Sequence, residues 1–139
     1  MKKNYALVLP YFFLLTCLYS SAQNISGGGR HSLSLCADST VRAWGHNNLG
    51  QLGNGNTTNS NVPVQVSNLT GIKAVSAGEQ HSLALKSDGT VWAWGYNFDG
   101  QLGNGSNNPS SIPVQVSNIT GIIAIAAGRW KNSLCRSRN

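Results

Sequence analysis

Acidic residues are scarce in this chain, and their scarcity limits the chemistry that it can perform. Asp and Glu together number 4 among 139 residues. Asp38 and Asp88 lie in predicted turns, where aspartate is common for structural reasons. The sequence contains no carboxylate pair at a defined spacing, no serine elbow, and no motif that places a cysteine near a histidine. We therefore expect a protein that is not an enzyme, with no catalytic residue, no cofactor and no bound metal.

Clustered positive charge is missing from the middle of the chain, although the formal net charge is +6. Two lysines stand at the start, and four more cations lie at or beyond Arg129. Between these ends the charges cancel, with Arg30, Arg42, Lys73 and Lys86 against Asp38, Glu79, Asp88 and Asp99. A protein that binds nucleic acid through its phosphates needs a basic face. The sequence therefore predicts no nucleic-acid partner.

Residues 1–22 are typical of a secretory signal peptide. Two lysines precede an apolar run from Tyr5 to Leu18, and small residues lead to a cleavage site after Ala22. An uncleaved anchor is the alternative, but the run is short for a membrane span and contains Pro10. Cys17 leaves lipoprotein processing as a further alternative. We expect a secreted or extracytoplasmic protein with no membrane contact after cleavage.

The rest of the chain is an internal repeat with a period of fifty residues. Residues 28–77 and 78–127 align without a gap and are identical at 30 of 50 positions. A period between about 20 and 50 residues indicates stacked units, because one unit cannot bury its apolar faces alone. We predict a first repeat at 23–77, a second at 78–127, and a truncated, degenerate start of a third at 128–139.

Each repeat predicts four β-strands. In the second copy, Ser82–Lys86 and Val91–Gly95 flank Asp88-Gly89, which is a hairpin signature. Pro63 confines the strand around it to a sheet edge, and the small side chains of Ile72–Gly78 suit a crowded innermost strand. No helical period is present after the signal peptide. The sequence thus predicts an all-β fold of stacked, four-stranded sheets.

The two copies resemble the repeat of the regulator of chromosome condensation family. The resemblance rests on G-x-x-H-S-L-A-L from Gly78 and on G-T-V-W-A-W-G-x-N-x-x-G-Q-L-G-N-G from Gly89, with a first copy fifty residues earlier. That family forms a seven-bladed β-propeller. The resemblance therefore implies a partial β-propeller with about two of the four-stranded blades.

Ten repeated motif positions are expected to be structural. Equivalent histidines could be metal ligands, but we favour a structural hydrogen bond. The glycines of GQLGNG lack the lysine and following helix of a phosphate loop, so we assign them to tight turns and close approach between blades. The positions are His31, Trp44, Gly50, Gly53, Gly55, His81, Trp94, Gly100, Gly103 and Gly105.

The end of the chain departs from the repeat. Residues 128–139 match the second copy only if Lys131 is an insertion, which places Arg136 at the position of Leu85. We expect the front end of a longer protein whose remaining blades are missing. Cys36 and Cys135 lie about two repeat periods apart, too far for a disulfide in a stacked array, so we expect two unpaired thiols.

Differences between the copies identify candidate contact loops. Framework residues repeat because packing requires them, whereas surface loops are free to differ and to carry recognition. The first copy has His46, Asn48 and Leu49 where the second has Tyr96, Phe98 and Asp99. Tyr96 and Phe98 are the leading contact candidates. The alternative for Phe98 is packing on a neighbouring blade.

These observations predict a non-enzymatic, exported propeller-repeat fragment that binds an unknown protein or surface ligand through blade-edge loops. One alternative is a homo-oligomer that completes a ring from several short chains, because exposed blade faces favour self-association. The family resemblance implies a second alternative, an inhibitor-type binder of an extracytoplasmic enzyme. The nucleotide-exchange and chromatin roles of intracellular family members are not carried over.

Overall fold

The structure, a computed structural model, describes residues 25–129 and 133–137, and these residues form antiparallel β-sheets. The first sheet contains β1 (Ile25–Gly27), β2 (His31–Leu35), β3 (Val41–Gly45) and β4 (Ser60–Gln65). The second contains β5 (Ile72–Ala77), β6 (His81–Lys86), β7 (Val91–Gly95) and β8 (Ser110–Gln115). β9 (Ile122–Ala127) and β10 (Ser133–Ser137) form a third, two-stranded sheet. The predicted signal peptide at 1–22 lies outside the described residues.

The all-β prediction is confirmed, because none of the described residues is helical. In the same part of the chain, no helix is present that is long and apolar enough to cross a membrane. Strands within each sheet follow chain order, so every neighbouring pair is joined by a direct connection. This arrangement repeats in both copies with the same register, in which His31 lies opposite Gly45 and His81 opposite Gly95.

The hairpin between the second and third strands of each sheet closes at the predicted turn. Asp38 Oδ1 accepts hydrogen bonds from the Thr40 amide at 3.0 Å and the Thr40 hydroxyl at 2.6 Å. Asp88 makes the same two bonds with Thr90, at 2.9 and 2.7 Å. These bonds stabilise the carboxylate form and lower the pKa of both aspartates. The two acids are therefore parts of turns.

The first two sheets stack face to face over one apolar core. Leu33 and Leu35 of the first sheet belong to the same buried cluster as Ala84 and Trp94 of the second. A second core lies between the second sheet and β9, where Leu83 packs among residues that include Ile125. The second sheet thus has apolar neighbours on both faces, which is the arrangement that stacked repeats require. The innermost strand β5 also contacts the innermost strands β1 and β9 on either side.

The boundaries of the sheets differ from the boundaries of the repeats that were predicted from the sequence. β5 (Ile72–Ala77) falls in the predicted first repeat but pairs with β6 in the second sheet. Likewise, β9 falls in the predicted second repeat and pairs with β10. In β10, Arg136 lies opposite Ala124, as Leu85 lies opposite Ala74. One extra residue therefore lies between Gly128 and Ser133, as the alignment with an insertion predicts.

The expectation of two unpaired thiols is wrong for Cys36. Cys36 is buried and disulfide-bonded. Cys135 is a free cysteine, and burial raises the pKa of its thiol. The distance argument excluded only a bond between these two cysteines, and it did not exclude another partner for Cys36.

Candidate functional site

A hydrogen-bonded joint connects the first two sheets through residues of the repeated motif. His31 Nε2 lies 2.9 Å from Ser82 Oγ, and Ser82 Oγ donates to the Gln51 carbonyl oxygen at 2.8 Å. The indole N–H of Trp94 donates to the same oxygen at 2.8 Å. His31 and Gln51 belong to the first copy, and Ser82 and Trp94 to the second. The four residues therefore join the two sheets.

The bonding at Ser82 fixes the proton on His31. Because the Ser82 hydroxyl donates to Gln51, it accepts from His31, so Nε2 carries the hydrogen. Nδ1 of His31 is then an unprotonated nitrogen, buried without a hydrogen-bond donor among the described residues. Burial, followed by the nearby His81 and His46, lowers the pKa of His31 to about 4. Burial also lowers the pKa of His81.

The histidines do not lie in a metal-binding arrangement. In the region covered by the structure, no group of three or more His, Cys, Asp or Glu side chains is placed to hold a metal ion. His31 uses its Nε2 in the joint, and His81 also has an interaction partner. The arrangement of His31 supports a structural role at this position.

The glycines of the first GQLGNG segment lie where the second sheet approaches. A Cβ added to Gly53 would lie 2.7 Å from Trp94 Nε1. A Cβ added to Gly55 would have its nearest neighbours, which include Ile112 Cγ2, at 4.0 Å. The Gly55 amide donates to the Ser111 carbonyl oxygen at 2.9 Å, across to the second sheet. The counterpart of this amide, Gly105, makes no such bond within the described residues. Close approach between sheets thus involves the first copy of the segment.

Asn47 and Asn97 hold the loops that follow each hairpin. Asn47 Nδ2 donates to the carbonyl oxygens of Asn56 and Thr58, both at 3.0 Å, and its Oδ1 accepts from the Leu52 amide at 2.9 Å. Asn97 makes the equivalent bonds in the second copy. Both asparagines are fully buried. In each copy, one asparagine side chain therefore hydrogen-bonds the backbone of the loop at several points.

In the first copy, the Gln51 side chain contacts two of the candidate contact residues, His46 and Leu49. His46 is half-buried, and its Nδ1 lies 3.2 Å from Gln51 Nε2. Leu49 donates its amide to Gln51 Oε1 at 2.9 Å and is also half-buried. Asn48 is exposed. These positions present a mostly polar surface in the first copy.

The counterparts in the second copy form an aromatic pair beside an acid, in which Phe98 is exposed and Tyr96 is half-buried. Phe98 is 58% exposed, and its ring meets that of Tyr96 edge-on, with centroids 5.2 Å apart and planes at 87°. The Tyr96 hydroxyl lies 3.3 Å from Asp99 Oδ2, which also accepts from Gln101 Nε2 at 3.2 Å. Phe98 thus packs on Tyr96 at the surface. This part of the loop combines aromatic surface with hydrogen bonds from Tyr96 and Gln101 to Asp99.

The residues next to these loops were not predicted from the sequence. The His46 amide donates to the Arg30 carbonyl oxygen, and the Tyr96 amide to that of Gln80, both at 2.9 Å. Positions 29 and 30 also differ between the copies, with Glu79 and Gln80 in the second. The same comparison of copies would have identified them, but their contact with the loops is visible only in the fold. We name positions 29, 30, 46, 48 and 49, with counterparts 79, 80, 96, 98 and 99, the variable rim.

Part of the variable rim, at positions 29, 30, 46, 79 and 80, lines a cavity of about 540 Å³ at one end of the inner strands. Its lining includes Arg30 and His46 of the first copy and Glu79 of the second, together with Arg129. Arg129 Nε lies 3.8 Å from Glu79 Oε2, and the Arg129 side chain is 80% exposed. The cavity therefore contains charged groups of both signs. Such a mixed lining suits contact with another protein better than contact with the phosphates of a nucleic acid.

Comparison with known proteins agrees with this architecture. Two sequence models of the regulator of chromosome condensation (RCC1) repeat match the chain, one over residues 38–85 and 88–132, the other over residues 22–51 and 72–101. The ultraviolet-B receptor UVR8 of Arabidopsis thaliana is 45% identical over 47 residues. The RCC1 domain-containing protein RUG3, mitochondrial, of the same plant is 41% identical over 51 residues.

These matches cover 34% and 37% of this chain, but only 11% and 12% of the two plant proteins. The chain thus spans a small part of the length of the curated relatives that it matches.

Solved structures of the same kind share the fold. Prp20p from Saccharomyces cerevisiae is similar with a TM-score of 0.69 and 24% identity, over 76% of this chain and 28% of Prp20p. Human WBSCR16 is similar with a TM-score of 0.64 and 30% identity, over 75% of this chain and 29% of that protein. The four-stranded sheets are therefore blades of the RCC1 propeller type, and the predicted partial β-propeller is confirmed. The chain belongs to the regulator of chromosome condensation (RCC1) repeat family.

Proposed function

We propose that this chain is a non-enzymatic interaction module of an exported protein, and that it binds a protein partner through the variable rim. One observation carries the proposal. The residues that agree between the copies build the joint, the loop supports and the core, whereas several residues that differ gather at one end of the blades. A surface whose residues vary on a constant framework is the usual arrangement of a recognition site.

The aromatic pair is the part of the rim best suited to anchor a partner. Tyr96 and Phe98 expose apolar area that water must leave when a partner binds, and exposed aromatic anchors contribute a large share of binding energy at protein interfaces. Their edge-on contact holds both rings in place before binding. Ordering these side chains therefore costs little entropy on association.

Further support comes from the relatives and from the N-terminal sequence. Prp20p was characterised for its binding properties to Gsp1p and histones, so a propeller of this type has protein partners. Residues 1–22, with two lysines before an apolar run, support export. The scarcity of acidic residues supports a role without catalysis.

The test compares binding by rim and non-rim variants. Partners would be captured by crosslinking at the surface of cells that produce the chain, identified, purified, and titrated against it by calorimetry. The double variant Tyr96→Ala/Phe98→Ala should weaken binding of the purified partner by about tenfold or more. The control Val62→Ala/Ile112→Ala removes other exposed apolar side chains, which are 62% and 44% exposed on the outer strands. Equal affinity of the rim variant and the wild type would contradict the proposal.

One observation favours a second candidate function, assembly into a larger ring. Trp44 and Ser32 lie opposite each other in the first sheet, as Trp94 and Ser82 do in the second. Trp94 is fully buried and Ser82 is hydrogen-bonded, whereas Trp44 is half-buried. Neither the Trp44 indole N–H nor the Ser32 hydroxyl has a hydrogen-bond partner within residues 25–129 and 133–137. This face is shaped for a blade that supplies a histidine and a carbonyl oxygen, as His31 and Gln51 do for the second sheet.

Analytical ultracentrifugation separates assembly from a single-chain scaffold. A closed oligomer of defined mass, lost in Trp44→Ala, would support assembly, because the variant removes the apolar contact that a docking blade would cover. Val62→Ala is the control, since it changes an exposed outer strand. A monomer over the full accessible concentration range would contradict assembly and leave the rim as the functional surface.

A further inference from the structure

We propose that Asn104-Gly105 is a site of spontaneous succinimide formation and deamidation in the folded chain, and that the identical Asn54-Gly55 is protected by the second blade. In this reaction the Gly105 amide nitrogen loses its proton and attacks Cγ of Asn104. A nitrogen–carbon bond forms, the Cγ–Nδ2 bond breaks, and the side-chain nitrogen leaves as ammonia. Water then opens the cyclic imide to aspartate or isoaspartate.

The two sites have the same local sequence and the same backbone form. Both lie in the hexapeptide GQLGNG, and both asparagines are half-buried. The following glycines are exposed, with φ of 87° at Gly55 and 79° at Gly105. The hexapeptide and the φ of its last glycine therefore do not distinguish the two sites. The contacts of each loop do.

The attacking nitrogen has different surroundings in the two sites. The Gly55 amide donates to the Ser111 carbonyl oxygen at 2.9 Å, across the contact between the blades. No acceptor contacts the Gly105 amide among the described residues, and a Cβ built there would meet no heavy atom within 4 Å. A hydrogen-bonded amide gives up its proton less readily, and its loop must open before the nitrogen can approach Cγ. Gly55 is therefore the poorer nucleophile.

The electrophilic carbon differs as well. Asn104 Oδ1 accepts from the Ser106 amide at 3.1 Å and lies 3.4 Å from Asn97 Nδ2. These donors stabilise the negative charge that develops on this oxygen when the nitrogen attacks. At the first site the described donor to Asn54 Oδ1 is Asn47 Nδ2, at 3.2 Å. Both differences thus favour reaction at Asn104.

The experiment follows deamidation at both sites of the intact chain by peptide mapping. The chain is incubated at mildly alkaline pH and digested with trypsin, which places Asn54 in peptide 43–73 and Asn104 in peptide 87–129. Fragment masses identify the asparagine whose side-chain amide has become a carboxyl group. Enzymatic methylation then detects isoaspartate, which shows that the reaction passed through the cyclic imide. We expect Asn54 to react about tenfold more slowly than Asn104 in the folded chain.

Two controls separate folding from sequence. In denaturant both sites should react at similar rates, because no contact between blades remains. The variant Ser106→Asn gives both sites the same following residue, and the difference in the folded chain should persist. The proposal would be overturned if both sites reacted at equal rates in the folded chain, or if Asn54 reacted faster. It would also be overturned if Asn104 were unreactive in the folded chain while both sites reacted in denaturant.

Discussion

Trp94 donates its indole N–H to the main-chain oxygen of Gln51 at 2.8 Å, and this bond links the buried side chain of one blade to a loop of the blade before it. The same oxygen accepts from the Ser82 hydroxyl. Two donors from the second blade thus meet one acceptor of the first. A carbonyl oxygen has two lone pairs, so this acceptor is fully used.

The joint predicts unequal roles for the two tryptophans of the motif. Trp94→Ala should lower the free energy of unfolding by about 3–5 kcal/mol, because it leaves a cavity between the blades and removes one bond to Gln51. Trp44→Ala should cost about 1–2 kcal/mol, since Trp44 is half-buried and has less to lose. Urea unfolding followed by circular dichroism measures both. Equal losses would show that the first blade covers Trp94 less well than the structure indicates.

The joint also predicts sensitivity to acid. The pKa of His31 is about 4 in the folded chain against an ordinary value of 6.5, so the unfolded state binds more protons between these values. Stability should therefore fall as the pH falls from 6.5 to 4, by roughly 3 kcal/mol from His31. The lowered pKa of His81 adds in the same direction. Thermal unfolding across this range measures the change.

Histidine variants assign this pH dependence. His31→Gln should remove most of it, because a neutral side chain takes no proton in this range. His46→Gln changes a histidine of the variable rim and should reduce the pH dependence only slightly, because burial is the largest cause of the lowered pKa of His31. An unchanged slope in His31→Gln would place the origin of acid sensitivity outside the joint.

Much of the fold could be predicted from the sequence because local rules and the period agree. Val91–Gly95 is a strand with the predicted bounds, and Ser82–Lys86 is extended by one residue to His81. The Asp88-Gly89 turn forms because Asp88 bonds to Thr90 and Gly89 takes a positive φ of 83°. Proline at position 63 lies in an outer strand. No strand pairs with the outer side of that strand, so the N–H group that proline lacks is not needed there.

The site was harder to predict because it depends on which residues meet across the chain. The comparison of copies found Tyr96 and Phe98, but no local pattern shows that the Tyr96 amide contacts Gln80. The strand at which each sheet begins could not be predicted either, because a repeating sequence can be divided at any position of its period. Disulfide pairing at Cys36 could not be deduced from a distance argument that excluded a single partner.

The glycines of the two copies offer a matched test of blade contact. Gly53 and Gly103 have similar φ, 65° and 57°, so alanine has a similar backbone penalty of about 1–2 kcal/mol at each. A Cβ at Gly53 would also lie 2.7 Å from Trp94 Nε1, whereas one at Gly103 meets Val116 at 3.0 Å. Gly53→Ala should therefore be the more destabilising by about 1–3 kcal/mol. The difference in urea midpoints measures this, and a larger loss at Gly103 would contradict the packing of Trp94 on Gly53.

The loop supported by Asn47 should lose its order when that side chain is removed. Asn47→Ala leaves the buried Leu52 amide and two partly buried loop carbonyl oxygens without the partner that they have now. We expect a loss of about 2–3 kcal/mol and faster hydrogen exchange at the Leu52 amide. Asn48→Ala is the control, because this neighbour is exposed and should change stability by less than about 0.5 kcal/mol. Similar exchange at Leu52 in both variants would mean that the backbone of GQLGNG, rather than the buried asparagine, holds the loop beside the rim.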